Sequence, residues 1–377
     1  MRLLLFANTD WYLYNFRLSL VQALEAAGHK VILVSPAGEY GTRLRSMGHD
    51  WRAAPMDRRS LNPLRELALL AWLSKLLRSE DVDLVHGFTI KCAVYGGLAA
   101  KLAGTPGSIG AVAGMGYVFT SNDTKARLLR PLVRGLMRLA LDGPRARLIL
   151  QNPDDVQLFA RSGLVKPERI RQIAGSGVDC GRFHPADQPI GGSARPLRVL
   201  LPARLLWDKG LAEYVGAARI LKAEGRAIEF LLAGEPDPGN PAAVGHDDLA
   251  GWVEQGLVRW LGHVEDMPGL LREVDLVTLP SYREGLPKGL IEAAACGLPL
   301  VTTDVPGCRE VVTHGVEGLL VPSRDADALA AAIARMHDDP GLRSSMGQAA
   351  RRRALAEHDH RSVVARTLEV YSELLPG

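Results

Sequence analysis

Cysteine is scarce in this chain: there are four in 377 residues, at Cys92, Cys180, Cys296 and Cys308. None forms a CxxC pair or a metal-ligand spacing, so they read as reduced thiols of a cytosolic protein. Long apolar runs are missing too. No uninterrupted stretch approaches the ~20 residues of a membrane-spanning helix. The opening run Arg2-Leu3-Leu4-Leu5-Phe6-Ala7 breaks at Asn8-Thr9-Asp10, too short for a signal core, and reads as a buried first strand. The loop behind it, Ala7 to Tyr12, has no GxGxxG, which argues against a nicotinamide oxidoreductase. No segment is low in complexity or repeats at a short period. No basic groove interleaved with aromatics is evident, so nucleic acid is not an expected partner.

What is present is ordinary for a soluble globular protein: 47% hydrophobic and 23% charged residues, in a chain long enough for two domains. The net charge of +3 hides an asymmetry. Residues 1–185 hold 25 Lys and Arg against 15 Asp and Glu, a net of +10, while the remainder holds 20 against 27, a net of −7. Two faces with different partners are expected.

Short apolar strands alternate with amphipathic helices twice over. In the first half, strands are expected at 2–7, 30–35, 82–85, 108–112 and 146–151, with helices at about 15–27, 62–78, 91–103 and 125–141. In the second, strands are expected near 196–202, 227–233, 257–261, 275–280, 299–302 and 317–321. Helices near 209–224, 246–255, 286–296 and 325–337 separate them, and 340–374 is helical. Such alternation predicts an α/β protein with parallel sheets covered on both faces. A Gly/Pro-rich stretch from Gly175 to Ser193 marks the seam. The expected division is residues 1–185, then 186–358, with 359–377 crossing back to the first domain. Open α/β sheets bind ligands at the carboxyl ends of their strands, so motifs just after strands matter most.

Two such motifs stand out. Glu284-Gly-Leu-Pro-Lys-Gly-Leu-Ile-Glu292 follows the strand ending at Pro280 and opens a helix. Pro287 suits the first turn, where its missing N–H costs nothing. The amides from Leu286 to Gly289 would point out of the helix start, toward a phosphate. Glu284 and Glu292 are suited to accept hydrogen bonds from sugar hydroxyls on either side of it; a helix cap with one solvated glutamate is the alternative. After the strand Leu197–Leu201 come Arg204 and Lys209, a guanidinium fork and an ammonium suited to a diphosphate.

Arg204-x4-Lys209 with Glu284-x7-Glu292, inside two Rossmann-like doubly wound domains, resembles the retaining glycosyltransferases of family 4, which have the GT-B fold with an interdomain cleft. The resemblance covers essentially the whole chain, including Ser176-Gly-Val-Asp179, Leu261-Gly-His-Val264 and Cys296-Gly-Leu-Pro-Leu-Val301. Asn15-Phe16-Arg17 and Leu61-Asn-Pro-Leu64 further resemble the bacterial subgroup that elongates lipid-linked oligosaccharides. The resemblance implies that Arg204 and Lys209 hold the diphosphate of a nucleotide sugar, with UDP as the expected nucleotide. Glu284 would bind the donor sugar, with Gly285, Leu286 and Pro287 near the phosphate. Glu292 would bind the ribose diol, and the backbone near Val264 would face the base. Arg204, Lys209 and Glu284 are the expected catalytic residues. No metal and no cofactor are implied, because the nucleotide sugar is a substrate. Many relatives place a histidine after a first-domain strand; the comparable stretch here, Ile109 to Gly116, has none, and no catalytic base is assigned.

Asn15, Arg17 and Lys91 are candidates to face the acceptor, a surface or packing role being the alternative for each. On 124–141, Arg127, Arg130, Arg134 and Arg138 recur at helical spacing, while Leu128, Leu129, Leu132, Val133, Leu136 and Leu139 fill the other side. The leucine stripe is expected to pack on its own sheet, leaving the arginines to face an anionic membrane. The expected enzyme is therefore a cytoplasmic protein, peripheral at the inner face of the membrane. It would move a hexose or N-acetylhexosamine to a saccharide on polyprenyl diphosphate, for surface polysaccharide or glycoprotein assembly. A small soluble acceptor, or a catalytically silent nucleotide-sugar-binding role, are the alternatives.

Overall fold

The computed structural model describes residues 1–57, 60, 62–112, 124–186, 195–237 and 240–375, with the side chains of 124–130 and 132 left out. The chain forms two compact units, one of Met1–Ser176 with Val363–Gly377 and one of Gly177–Ser362. The first boundary thus falls after Ser176 and not after 185, and the return begins at Val363, later than the expected 359.

In the first unit the strands are β1 (Arg2–Phe6), β2 (Lys30–Ser35), β3 (Asp50–Ala53), β4 (Leu84–Phe88), β5 (Gly107–Val112), β6 (Ala146–Leu150) and β7 (Ile170–Gln172). They form one parallel sheet, in the order β3-β2-β1-β4-β5-β6-β7 among the described residues. Leu3, Leu4, Leu5 and Phe6 of the central β1 are fully buried, as a strand covered on both faces requires. The outermost strands β3 and β7 were not expected from sequence. They are short and carry Asp50, Arg52 and Arg171, the charges that keep an edge from pairing with another chain.

The helix Asp10–Ala26 starts where the Thr9 hydroxyl accepts the Tyr12 N–H at 3.1 Å. Pro63–Ser79 and Pro153–Ser162 each begin on an asparagine cap with proline in the first turn. The last helix, His360–Ser372, brings Val363, Val364, Val370 and Tyr371 into the first unit's core beside Leu3, Leu5, Leu13 and Phe88.

The second unit repeats the plan with β8 (Leu197–Pro202), β9 (Ile228–Ala233), β10 (Arg259–Trp260), β11 (Leu276–Leu279), β12 (Leu300–Thr303) and β13 (Gly318–Val321). The order is β10-β9-β8-β11-β12-β13, again all parallel. Strand order reverses between β1 and β4 in the first sheet and between β8 and β11 in the second. In open α/β sheets such reversals are where the helices that follow the central strands pass to opposite faces and where ligands are received at the carboxyl ends.

Glu373 fastens the returning segment. Its carboxylate takes Arg147 Nε at 2.6 Å and Arg171 Nε and Nη2 at 2.7 and 2.6 Å, and the two guanidinium groups hold its pKa below the usual value. Because the folded-state pKa is depressed, this stabilisation is present above the unfolded value and lost as pH falls through the folded one. Glu373→Gln should cost about 1 kcal/mol at neutral pH. Urea unfolding of the two proteins should converge as pH drops below about 4.5, the ordinary value of the group.

Candidate active site

Past β8 the chain runs through Ala203 to Leu206 into a single 3-10 turn, Trp207–Lys209, and then the helix Leu211–Ala223. Gly210 joins the two at φ 75°, and a Cβ there would stand 2.0 Å from the Pro280 carbonyl oxygen. Only glycine lets this turn lie against the end of β11. Tyr282 N–H donates to the Asp208 carbonyl at 2.9 Å, and its hydroxyl donates to the Glu213 carboxylate at 2.9 Å. The two loops are thereby held together.

The result is a shielded ion pair. Lys209 Nζ lies 2.5 Å from Glu284 Oε1, and Ser281 Oγ donates to the same oxygen at 2.6 Å. The side chains of Lys209 and Glu284 are only 19% and 12% exposed. Charges this far out of water hold together through good geometry and extra hydrogen bonds, which Ser281 supplies.

Strand β12 supports the acidic side of the pair. Thr303 Oγ1 donates to the Ser281 carbonyl at 2.5 Å, and Thr302 Oγ1 to that of Leu279 at 2.6 Å. Gly307, at φ 83°, faces the backbone of Glu284 and Gly285 so closely that a Cβ would sit 2.6 Å from both carbonyl oxygens. Cys308 beside it is fully buried, and burial pushes its thiol up to about 12. It is a packing group, not a nucleophile.

The helix after this loop is Lys288–Ala295. Pro287 is its N-cap, at ψ 104°, and not a residue of its first turn as expected; no side chain caps the helix start. Leu286 is half-buried against the core, as is Val264 after β10. Glu292, in the second turn, lies 3.7 Å from Lys288 Nζ. Burial raises its pKa, and Lys288 and Arg182 offset part of the rise.

The remaining candidates fall elsewhere. Arg204 does not join Lys209: it is 61% exposed and pairs with Asp237 at 2.8 Å. Lys91, expected as an acceptor candidate, is engaged within the first unit. Its ammonium donates to Glu66 Oε1 at 2.8 Å and to the carbonyls of Asp57 and Ser60 at 2.8 and 3.2 Å, which uses all three protons in a structural cross-link. Asn15 donates along its own helix to the Trp11 carbonyl at 3.0 Å. Arg17 is buried beneath the first unit's surface at 6% exposure. On Thr124–Leu141 the expected apolar stripe divides: Val133 packs against the core, the side chains of Leu128, Leu129 and Leu132 lie outside what is described, and Leu136 and Leu139 depart from it. Met137, Ala140 and Leu141 are buried, whereas Leu136 and Leu139 are exposed beside the exposed Arg134 and Arg138. The helix reaches the surface as mixed leucine and arginine. Arg127, Arg130 and residues 113–116 lie outside what is described.

The sheet orders and the pair at the second switch point agree with sequence comparison. The family model for glycosyl transferase 4-like proteins matches residues 2–152, and that for glycosyl transferases group 1 matches 196–339. Both halves of the chain thus match glycosyl transferase family models. Full-length similarity extends to the Campylobacter jejuni N,N'-diacetylbacillosaminyl-diphospho-undecaprenol alpha-1,3-N-acetylgalactosaminyltransferase, 29% identical over 100% of this chain and 99% of that protein. An Escherichia coli UDP-Gal:alpha-D-GlcNAc-diphosphoundecaprenol alpha-1,3-galactosyltransferase is 28% identical over 75% of this chain and 74% of its own. Among solved structures, Anabaena HepE in complex with UDP superposes with a TM-score of 0.79 at 20% identity, covering 99% of this chain and 100% of that one. The fold is GT-B, and the protein is a glycosyltransferase. No helix among the described residues is long and apolar enough to cross a membrane.

Sequence reasoning passed over Ser281, Thr303, Asp237 and Gly307. Ser281, a polar residue directly behind an apolar strand and three before Glu284, carried a readable signal. Gly307 did not, because its constraint comes from a backbone some twenty residues away in sequence. Gly307→Ala should displace the Glu284 carbonyl and lower transfer about 10-fold or more, with far-ultraviolet circular dichroism unchanged. Glu292→Gln tests the buried carboxylate. A raised folded-state pKa means stability that is complete below the unfolded value and lost as pH rises through the folded one. The variant should therefore melt roughly 1–3 °C higher than wild type at neutral pH without ligand, the gain vanishing near pH 4.

Proposed function

We propose that this glycosyltransferase moves a hexose or N-acetylhexosamine from a UDP-sugar to a saccharide carried on undecaprenyl diphosphate. Anomeric configuration is retained, and no metal is required. The observation that carries the reading is the Lys209–Glu284 pair, shielded from water at the switch point of the second sheet. Both relatives named above are transferases to diphospho-undecaprenol saccharides, and HepE was solved with UDP.

In this reading Glu284 Oε1 is held by Lys209 and Ser281, which leaves Oε2 to accept a hydroxyl of the donor sugar. The Lys209 ammonium faces the diphosphate. Negative charge grows on that leaving group as the glycosidic bond breaks, so the lysine stabilises the transition state more than the ground state. A cation so placed supplies the electrostatic help that a metal supplies elsewhere. Arg204 joins from its surface pair with Asp237, a contact of a kind worth little in water and readily exchanged for a diphosphate. Glu292 accepts from the ribose diol, with Gly285, Leu286 and Pro287 near the phosphate and Val264 near the base.

The acceptor side rests on the basic first unit. Exposed Arg134, Leu136, Arg138 and Leu139 on one helix suit a peripheral position at an anionic cytoplasmic membrane face. The enzyme serves surface polysaccharide or glycoprotein glycan assembly.

Lys209→Ala should lower kcat about 100- to 1,000-fold while Glu284→Ala abolishes transfer, measured with undecaprenyl-linked acceptor and a panel of UDP-sugars. Product analysis by NMR should show retention, and chelator should leave the rate unchanged. If soluble saccharides were glycosylated while the lipid-linked acceptor was not, the acceptor assignment would be wrong. Unchanged kcat and KM in Lys209→Ala would remove the lysine from the site.

A further inference from the structure

The first sheet has its own switch point, and a cation is stationed there without a counter-charge among the described residues. Arg17 projects from the helix Asp10–Ala26 that follows β1, and its guanidinium carbon lies 4.3 Å from the ring centroid of Phe88, the last residue of β4. Among the described residues one hydrogen bond is made, from Nη2 to the Tyr12 hydroxyl at 2.6 Å, while Nε is buried with no partner. His86 also stands against Phe88, its ring centroid 4.1 Å away, bonded through Nδ1 to the Tyr371 hydroxyl at 2.7 Å. Burial, with Arg17 nearby, keeps that imidazole neutral. The polar groups facing Arg17 are therefore two phenols and a neutral histidine.

No carboxylate lies in salt-bridge range of Arg17 among the described residues. The other shielded arginines among the described residues of this unit each have one. Arg52 pairs with Asp50 and Glu80, Arg147 and Arg171 with Glu373, and Arg169 with Asp142. A buried cation left uncompensated destabilises the fold that holds it, and stacking on Phe88 and Tyr12 offsets only part of this. Thr89, next after Phe88, sits at φ 72°, a left-handed conformation strained for a β-branched residue. Strain and an unmatched charge meet at the carboxyl ends of the two strands between which the order reverses, where an open α/β sheet receives its ligand.

We propose that Arg17 is the receptor for the diphosphate of the acceptor, with Tyr12 orienting its guanidinium. The inference rests on the lipid-diphosphate reading of the acceptor. An anion here supplies the missing counter-charge, and a planar fork is the group that grips phosphate oxygens in pairs. Lys91, fully engaged by Glu66 and two carbonyls, takes no part.

The test uses the full chain with saturating UDP, so that the donor site is closed to other phosphates. Inorganic pyrophosphate is titrated by calorimetry into wild type, Arg17→Met and Arg17→Lys. Wild type should bind one pyrophosphate, Arg17→Met about 10- to 100-fold more weakly, and Arg17→Lys in between. UDP affinity should be equal in all three, and ligand-free Arg17→Met should melt no lower than wild type, since it loses an unpaired buried charge. In transfer assays KM for a short-chain prenyl-diphosphate saccharide should rise by the same factor, while KM for the same saccharide on a neutral alkyl glycoside stays put. Equal pyrophosphate binding by wild type and Arg17→Met would overturn the assignment, as would equal KM increases for both acceptors. Should wild type glycosylate no diphosphate-linked acceptor, the acceptor reading falls, and the calorimetry alone still decides whether Arg17 receives an anion.

Discussion

The second unit is organised around one electrostatic contact, the bond between Lys209 and Glu284 where β8 and β11 end. Neither residue could hold its place alone. The lysine stands on a turn that fits against Pro280 only because residue 210 lacks a side chain, and the glutamate on a loop braced by Ser281, Thr303 and Gly307. Each charge makes the other's burial tolerable, and a ligand bearing both hydroxyls and phosphate offers each a new partner. The rest of the unit, from the parallel sheet to the buried helix behind Glu292, serves to keep that pair out of water.

The two units solve the same problem differently. Both sheets reverse their order beside the central strand, and both carry a shielded cation at the reversal. In the second unit the cation has its acid. In the first, Arg17 has aromatic rings, two phenols and a neutral histidine about it, and no carboxylate in reach among the described residues. A cation already paired is poised to exchange one partner for another during a reaction, whereas an unpaired one is suited to holding a group that stays charged throughout.

Surface and interior also trade places in ways that composition hides. Lys91 looks like a free charge behind a strand and is a cross-link with every proton used. Leu136 and Leu139 look like core and lie in the open beside arginines. Periodicity says which residues share a helical face, but three neighbouring positions can each claim the inward direction. Only the elements packed against the helix decide among them. The same holds for β3 and β7, whose charged, short segments carry no apolar pattern and become strands because β2 and β6 offer them backbone partners.

The amino-acid order by itself determined the alternation of strands and helices, the parallel character of both sheets, the loops in which Arg204, Lys209 and Glu284 would fall, and the helix that carries Glu292. Those follow from local physics: apolar runs that must be buried, caps and prolines that start helices, and motifs placed just after strands. It did not determine partnership. That Lys209 meets Glu284 while Arg204 turns to Asp237, that Gly307 presses on the Glu284 backbone, and that Arg17 is buried without an acid were settled by tertiary structure. Hydrogen bonds and ion pairs act over a few ångströms, and which groups come within that reach depends on how distant segments are stacked, which no local pattern records.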